Sequence, residues 1–171
     1  MARSGAKSQT APDKRRKRSA ARFYVVQALF QMEAGDQGLE GVRKEFETHR
    51  LGVEIDGVAF TEPDLAHFRK LLNAAVADQA RIDQTTDRAL VARWPIDRID
   101  PTLRALFRAA GAELLTTDTP PRVAISEFVD IARAFYPEGR ETNFVNAVLD
   151  HMAREIRPEA FASNSSEGQK S

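Results

Sequence analysis

Residues 100–114, with the sequence DPTLRALFRAAGAEL, contain the clearest local signal for the fold of this chain. Asp100 and Pro101 are residue types favoured at the N-cap and the first position of a helix. After them, apolar side chains recur every three or four residues, as they do on one face of a helix. They are Leu103, Leu106, Phe107, Ala110 and Leu114. The stretch therefore predicts a helix that buries one face in a helical core.

Apolar periodicity on both sides of this stretch predicts about seven helices and no sheet. The first is expected at residues 19–33, ending at Gly35, and a weaker one from Leu39 to about Arg50. Residues 52–61 are expected to form a loop. Later helices are predicted to begin near Thr61, at residue 80, at Pro101, near Pro120 and at a Thr142 cap, and the one that covers residues 80–93 should end at Trp94-Pro95. The predicted fold class is all-α, a compact bundle of two helical subdomains.

The charge of the chain is zero overall but unevenly distributed. Residues 1–22 contain eight basic residues and a single acidic one, Asp13, which gives this part a net charge of +7. The remaining 149 residues contain 17 basic and 24 acidic side chains, a net charge of −7. A basic segment attached to an acidic body indicates a polyanionic partner for that segment.

The basic residues are concentrated at the predicted start of the first helix, as Lys14, Arg15, Arg16, Lys17 and Arg18, followed by Arg22. Cations there oppose the positive end of the helix dipole and cost about 0.3–1 kcal/mol each. We therefore interpret the cluster as a site for a phosphate backbone, whose charge would offset this repulsion. A solvated basic tail remains the alternative. Of the aromatic residues that could stack on RNA bases, Tyr136 is expected to be the most exposed, because it lies beside a helix end.

The ends of the chain lack the large apolar residues of a folded core. We expect residues 1–13 to be a disordered basic arm, residues 14–161 to form the helical RNA-binding domain, and residues 162–171 to be a disordered tail. No apolar run reaches the roughly 18 residues of a membrane span, and none follows the N-terminal charges as in a secretory signal. The absence of cysteine agrees with a reducing cytoplasm.

Motifs for catalysis or metal binding are sparse. Glu45 and His49 lie four residues apart, but no second His and carboxylate pair has a matching spacing, so a surface ion pair is the simpler interpretation. His67 is expected to stand alone, and Glu127 and Asp130 are expected to be solvated. We therefore predict no enzymatic activity, no metal and no cofactor.

Several motifs together resemble the NusB family of bacterial transcription antitermination factors. They are Ala21-Arg22 followed by VQALF at residues 26–30, Trp94 and Arg98 before LFRAA at residues 106–110, Glu113-Leu114, PRVAISE at residues 121–127, and FVNAVLD at residues 144–150. The resemblance covers roughly residues 15–157. It implies an all-helical protein without enzymatic activity that binds boxA-type leader RNA together with the ribosomal protein NusE. With this partner, the family promotes read-through by RNA polymerase, notably in ribosomal RNA operons.

The resemblance also implies roles for individual residues. The RNA contacts would come from the basic cluster, including Arg22, and from the aromatic residues Phe135 and Phe144. The surface for the partner protein would include Phe30, Arg104 and Arg108. Phe30 stands where the family usually has Tyr, and Arg140 stands where an acid is frequent. Some members of the family dimerise, so a homodimer remains open.

Two other functions are consistent with the residues. One is a helical protein-interaction module whose basic arm binds RNA or acidic partners without sequence preference. The other is a piece of an RNA cytosine methyltransferase, since NusB-like domains are also found fused to these enzymes. The chain contains no Gly-rich cofactor-binding region after the resemblance ends, which disfavours the enzyme.

Overall fold

The computed structural model describes residues 10–52, 54–55, 58–59, 62–90 and 99–162. The helices in these ranges are α1 (Ala11–Gly35), α2 (Leu39–Glu45), α3 (Leu65–Ala77), α4 (Gln79–Ala89), α5 (Pro101–Thr116), α6 (Pro121–Phe135), α7 (Arg140–Ile156) and α8 (Glu159–Ala162). A π-helical turn, Phe46–Arg50, follows α2 directly. Two short strands, β1 (Glu54–Ile55) and β2 (Val58–Ala59), pair antiparallel inside the predicted loop. The predicted all-α class is confirmed.

Helix α5 is the centre of the fold. It packs against α1 and α3 and also against α4, α6 and α7, so that one hydrophobic core connects the helices before and after it. Eleven of its sixteen residues are buried, including Arg104 and Glu113. A helix with this much buried surface has no wholly polar face, and its buried charges require partners from neighbouring helices.

Helix α1 begins eight residues earlier than the apolar periodicity predicts. Thr10 caps it, Pro12 lies in its first turn, and Asp13 supplies an acid near the positive end of the helix dipole. The boundary that we expected at residue 14 consequently lies inside the helix, and residues 14–18 form its second turn rather than a segment in front of it. Of the segments expected to be disordered, 1–13 and 162–171, residues 11–13 belong to α1 and Ala162 to α8, whereas residues 1–9 and 163–171 lie outside the described ranges.

Three other predicted boundaries differ from the structure. Helix α3 begins at Leu65, with Asp64 as its N-cap residue, rather than near Thr61. Thr142 does not cap α7, because Gly139 is the N-cap residue and has a φ of 79°, which glycine adopts without strain. The Thr142 hydroxyl instead donates a hydrogen bond to the Gly139 carbonyl at 2.7 Å. Helix α4 ends at Ala89, and the predicted stop at Trp94-Pro95 lies outside the described residues.

Candidate nucleic-acid interface

The second turn of α1 presents a dense set of exposed cations. Lys14, Arg15, Arg16 and Arg18 are exposed, and Lys17 is half-buried. The side chains of Arg16 and Arg18 are 69% and 54% exposed. The structure therefore brings the predicted cluster together on one helical turn.

Nearby acids compensate only part of this charge. Asp13 forms an ion pair with Arg16, and the hydroxyl of Thr10 together with this guanidinium lowers the pKa of Asp13. Asp64 lies 3.8 Å from Arg18, and its backbone N–H donates to the carbonyl of Lys17 at 2.9 Å. With Asp118, which lies in the same pocket as Arg15 and Arg18, three carboxylates near five cations still leave an excess of positive charge that a polyanion can neutralise.

Arg22 does not belong to this exposed set, which corrects its prediction as an RNA contact. Its side chain is 4% exposed, and it donates hydrogen bonds from Nε and Nη2 to both carboxylate oxygens of Glu113, at 2.7–3.0 Å. Glu127 lies 3.5 Å from the same guanidinium. Because these carboxylates already occupy its donors, Arg22 joins α1 to α5 and α6 instead of reaching a ligand.

Glu113 is the centre of a buried polar cluster that we did not predict. It is fully buried, and besides Arg22 it contacts Nε2 of His67 at 3.2 Å and accepts a hydrogen bond from the Thr119 hydroxyl at 3.0 Å. Burial raises the pKa of Glu113, but hydrogen bonds from His67 and Arg22 outweigh this effect and bring the pKa to about 2. The expectation that His67 stands alone is wrong.

Glu127 also differs from its prediction as a solvated residue. Its side chain is 26% exposed and accepts a hydrogen bond from the Ser19 hydroxyl at 2.7 Å. Glu45, expected to pair with His49, instead contacts Arg50 at 3.2 Å and Gln31 at 2.8 Å. The partners of Glu127 and Glu45 are not three or four residues away on the same helix, so helical spacing alone could not identify them.

A pocket of about 310 Å³ opens beside the basic turn of α1. All three cations of its lining lie on α1, two of them, Arg15 and Arg18, exposed, and the segment that connects α5 to α6 supplies Asp118, Thr119 and Pro120. The remaining lining residues are Arg22, Val123 and Glu127. Three arginines against the carboxylates of Asp118 and Glu127 leave a cleft with net positive charge and a partly apolar wall, a combination that suits a nucleotide.

The predicted stacking residues are less accessible than the cations. Phe135 is half-buried and stacks on Phe23 with a centroid distance of 5.4 Å. Phe144 is half-buried and packs edge-on against Phe107 at 6.2 Å. Tyr136, expected to be exposed, is half-buried with a buried hydroxyl, and burial together with the Asp100 carboxylate raises its pKa to about 12.

The residues predicted to contact the partner protein differ in their exposure to solvent. Phe30 is 39% exposed and lines a groove of about 730 Å³ with Phe135, Arg50 and Thr102. By contrast, the side chain of Arg104 is 11% exposed and that of Arg108 14%.

Both arginines already form ion pairs within the fold. Arg104 pairs with Glu33 of α1, and Arg108 pairs with Asp83 of α4 at 2.9 Å and with Glu33 at 3.3 Å. They connect α5 to neighbouring helices, so their assignment to a free interface needs correction.

The described part of the chain shows no grouping of three or more His, Asp or Glu side chains suited to a metal ion. Among the same residues, none of the helices combines the length and the apolar character required to cross a bilayer.

Comparisons with known proteins converge on one family. Residues 19–154 match the NusB family profile. The chain is 46% identical over 150 residues to "Transcription antitermination protein NusB" of Rhodopseudomonas palustris (strain BisB18), covering 87% of this chain and 88% of the relative. It is 45% identical over 144 residues to the protein of the same name from Agrobacterium fabrum, covering 84% and 87%.

Solved structures have the same fold. T. maritima NusB superimposes with a TM-score of 0.67 and 28% identity, covering 90% of this chain and 99% of that one. A chain from the crystal structure of the antitermination factors NusB and NusE in complex with double-stranded RNA gives a TM-score of 0.65 at 24% identity, covering 82% and 98%.

Proposed function

The chain belongs to the NusB family, and on this basis we propose that it is a transcription antitermination factor. It binds boxA-type leader RNA together with NusE and promotes read-through by RNA polymerase, notably in ribosomal RNA operons. The observation that carries this proposal is the family match over residues 19–154, with relatives of about 45% identity that are named for this function. The protein acts by binding in the cytoplasm and catalyses no reaction.

The basic turn of α1 is the proposed contact with the RNA backbone. Its five residues are consecutive on α1, and nearby carboxylates compensate only part of their charge: Lys14, Arg15, Arg16, Lys17 and Arg18. Phe135 and Phe144 remain proposed stacking residues, because both are only half-buried. Arg22 is excluded from the contacts, since Glu113 and Glu127 occupy its guanidinium.

Titration of boxA-type RNA with and without NusE tests the function. We expect boxA-type RNA to bind more tightly than a scrambled RNA of the same length, and NusE to increase the affinity. Equal affinity for both RNAs would favour the second candidate, a helical module that binds polyanions without sequence preference. This candidate is favoured only by the density of exposed charge on α1.

Exposed arginines provide the test of the site. Replacing both Arg16 and Arg18 by Ala should weaken RNA binding about tenfold or more and reduce the slope of log affinity against log salt by about 1.4, since each single-strand phosphate contact contributes about 0.7. The melting temperature should change little, because exposed ion pairs contribute about 0–1 kcal/mol.

A matched control removes the same charge elsewhere. Lys44 in α2 and Arg81 in α4 are exposed, and replacing both by Ala changes the net charge equally. If the two double variants lose the same affinity, generic electrostatics rather than the α1 turn governs binding.

A further inference from the structure

One stripe of α1 connects the exposed cations to the interior. Arg15, Arg18 and Arg22 follow the spacing i, i+3, i+7, which places them on one face of the helix. The first two line the cationic pocket, and the third is held by Glu113 of α5. Ser19, on the turn between them, donates a hydrogen bond to Glu127 of α6. The α1 wall of the pocket is thus tied to α5 and α6.

The opposite wall of the pocket is tied to the same carboxylate. Thr119, in the segment between α5 and α6, donates its hydroxyl proton to Oε1 of Glu113 at 3.0 Å. Arg157 at the end of α7 holds this segment from another direction, because its guanidinium donates to the carbonyls of Leu114, Thr117 and Thr119. The Glu113 carboxylate therefore links both walls of the cationic pocket.

The buried ion pair between Arg22 and Glu113 is not needed for stability alone. Removing a guanidinium and a carboxylate from water costs several kcal/mol per ion, and well-packed apolar residues of similar volume often stabilise a fold equally. Charge-assisted hydrogen bonds, however, fix distance and direction more strictly than apolar contacts do.

From these contacts we infer that Arg22, Glu113 and Thr119 are positioning residues for RNA. They hold Arg15 and Arg18 at a fixed distance from the segment at residues 118–120, so that the pocket between them receives a phosphodiester and the adjoining nucleotide of the RNA strand. None of the three needs to touch the ligand. The inference rests on the proposed function and adds to it the geometry of the pocket.

Thr119→Val is the first test, because valine keeps the shape of threonine and removes the hydroxyl that donates to Glu113 and accepts from the Thr117 hydroxyl at 3.1 Å. We expect boxA-type RNA, with NusE present, to bind about fivefold more weakly, the equivalent of one hydrogen bond. The salt slope should also become shallower, since one phosphate contact is lost. A role in stability alone would change neither quantity when binding is measured well below the melting temperature.

Thr86→Val is the matched control. Thr86 is another buried threonine, but its hydroxyl donates to the Ile82 carbonyl within α4 and lies outside the cluster. This variant should bind RNA with the affinity and salt slope of the unaltered protein. Equal RNA binding by Thr119→Val and Thr86→Val would overturn the inference.

A second variant replaces the ion pair by apolar residues of similar size, as Arg22→Met together with Glu113→Leu. The net charge is unchanged, and we expect a folded protein whose RNA affinity is lower by about tenfold. Undiminished affinity in this folded variant would also contradict the positioning role.

The experiments distinguish a failure of the proposed function from a failure of the positioning role. If the unaltered protein does not prefer boxA-type RNA, the proposed function fails. If it does and both variants match it, only the positioning role fails.

Discussion

The buried charged residues of α5 form ion pairs with residues that are distant in the sequence. Glu113 and Arg22 are 91 residues apart, and Glu33 and Arg104 are 71 apart. Each pair joins α1 to α5, so the interface between these two helices combines apolar packing with ion pairs. Replacing one partner by an uncharged residue leaves the other charge buried and uncompensated, and this strongly destabilises the fold.

The depressed pKa of Glu113 makes a specific contribution to the pH dependence of stability. Its folded pKa is about 2 against an ordinary value of 4.5, so ionised Glu113 stabilises the fold above pH 4.5, and this stabilisation is lost as the pH falls towards 2. The difference corresponds to about 3 kcal/mol. Urea denaturation between pH 7 and pH 2.5 should show a steeper loss for the unaltered protein than for Glu113→Gln.

The control for this experiment is Glu47→Gln. Glu47 pairs with Arg69 at the surface, and that hydrogen bond lowers its pKa as well, but an exposed pair contributes only about 0–1 kcal/mol. Its pH profile should therefore remain close to that of the unaltered protein. Parallel profiles for all three proteins would show that Glu113 does not govern acid unfolding.

The sequence identified candidate binding residues but could not distinguish exposed cations from buried ones. Lys14 to Arg18 are accessible as predicted, whereas Arg22, Arg104 and Arg108 are engaged inside the fold. All are cations on helices, and their difference depends on carboxylates contributed by other helices. His67 was missed for the same reason, because its partner Glu113 is 46 residues away.

Among the helices, the approach of α4 to α5 depends on a glycine in the interior of α5. A Cβ atom built on Gly111 would lie 2.5 Å from Cγ2 of Ile82 and 3.2 Å from its Cγ1. Ile82 lies within α4, where a β-branched side chain has one strongly preferred rotamer and cannot easily move aside. The absence of a side chain at position 111 therefore allows the two helices to pack closely.

Gly111→Ala should consequently destabilise the protein by about 1–3 kcal/mol, although alanine is the better helix former. Thermal unfolding of Gly111→Ala, Ile82→Ala and the double variant measures the coupling, and the double variant should lose less than the sum of the single losses. Gly41→Ala in α2 is the control, because nothing lies within 4 Å of its added Cβ, and it should stabilise by up to about 1 kcal/mol. Additive losses for Gly111 and Ile82 would contradict the close approach.

Helix existence could be predicted from the sequence better than helix boundaries. Apolar spacing identified the segments of α1 to α7, since each buries apolar residues in the shared core, but not α8, which has no buried residue. It failed at the start of α1, where the first turns carry exposed cations and helicity depends on the Thr10 cap, Pro12 and Asp13. The strands β1 and β2 are two residues long, too short for a recognisable alternating pattern.

The molecule as a whole carries two accessible surfaces on α1. The basic turn ends at Arg18, and Phe30 lies twelve residues further along, about 18 Å away at the rise of an α-helix. The first surface is cationic, whereas the groove around Phe30 is mainly apolar. If both surfaces have their proposed roles, this separation would let α1 hold an RNA strand and a partner protein at the same time.

If the two surfaces act separately, Phe30→Ala should weaken NusE binding by at least about tenfold, because a truncated aromatic anchor in a groove commonly costs about 2 kcal/mol or more. Its affinity for RNA in the absence of NusE should not change, because Phe135, the proposed stacking residue in the same groove, is left in place. Leu65→Ala is the matched control, since Leu65 is exposed to the same extent, 39%, at the start of α3. Calorimetric titrations with each ligand alone measure both affinities. A loss of RNA affinity in Phe30→Ala, or an equal loss of NusE binding in Leu65→Ala, would show that the groove is not a separate partner site.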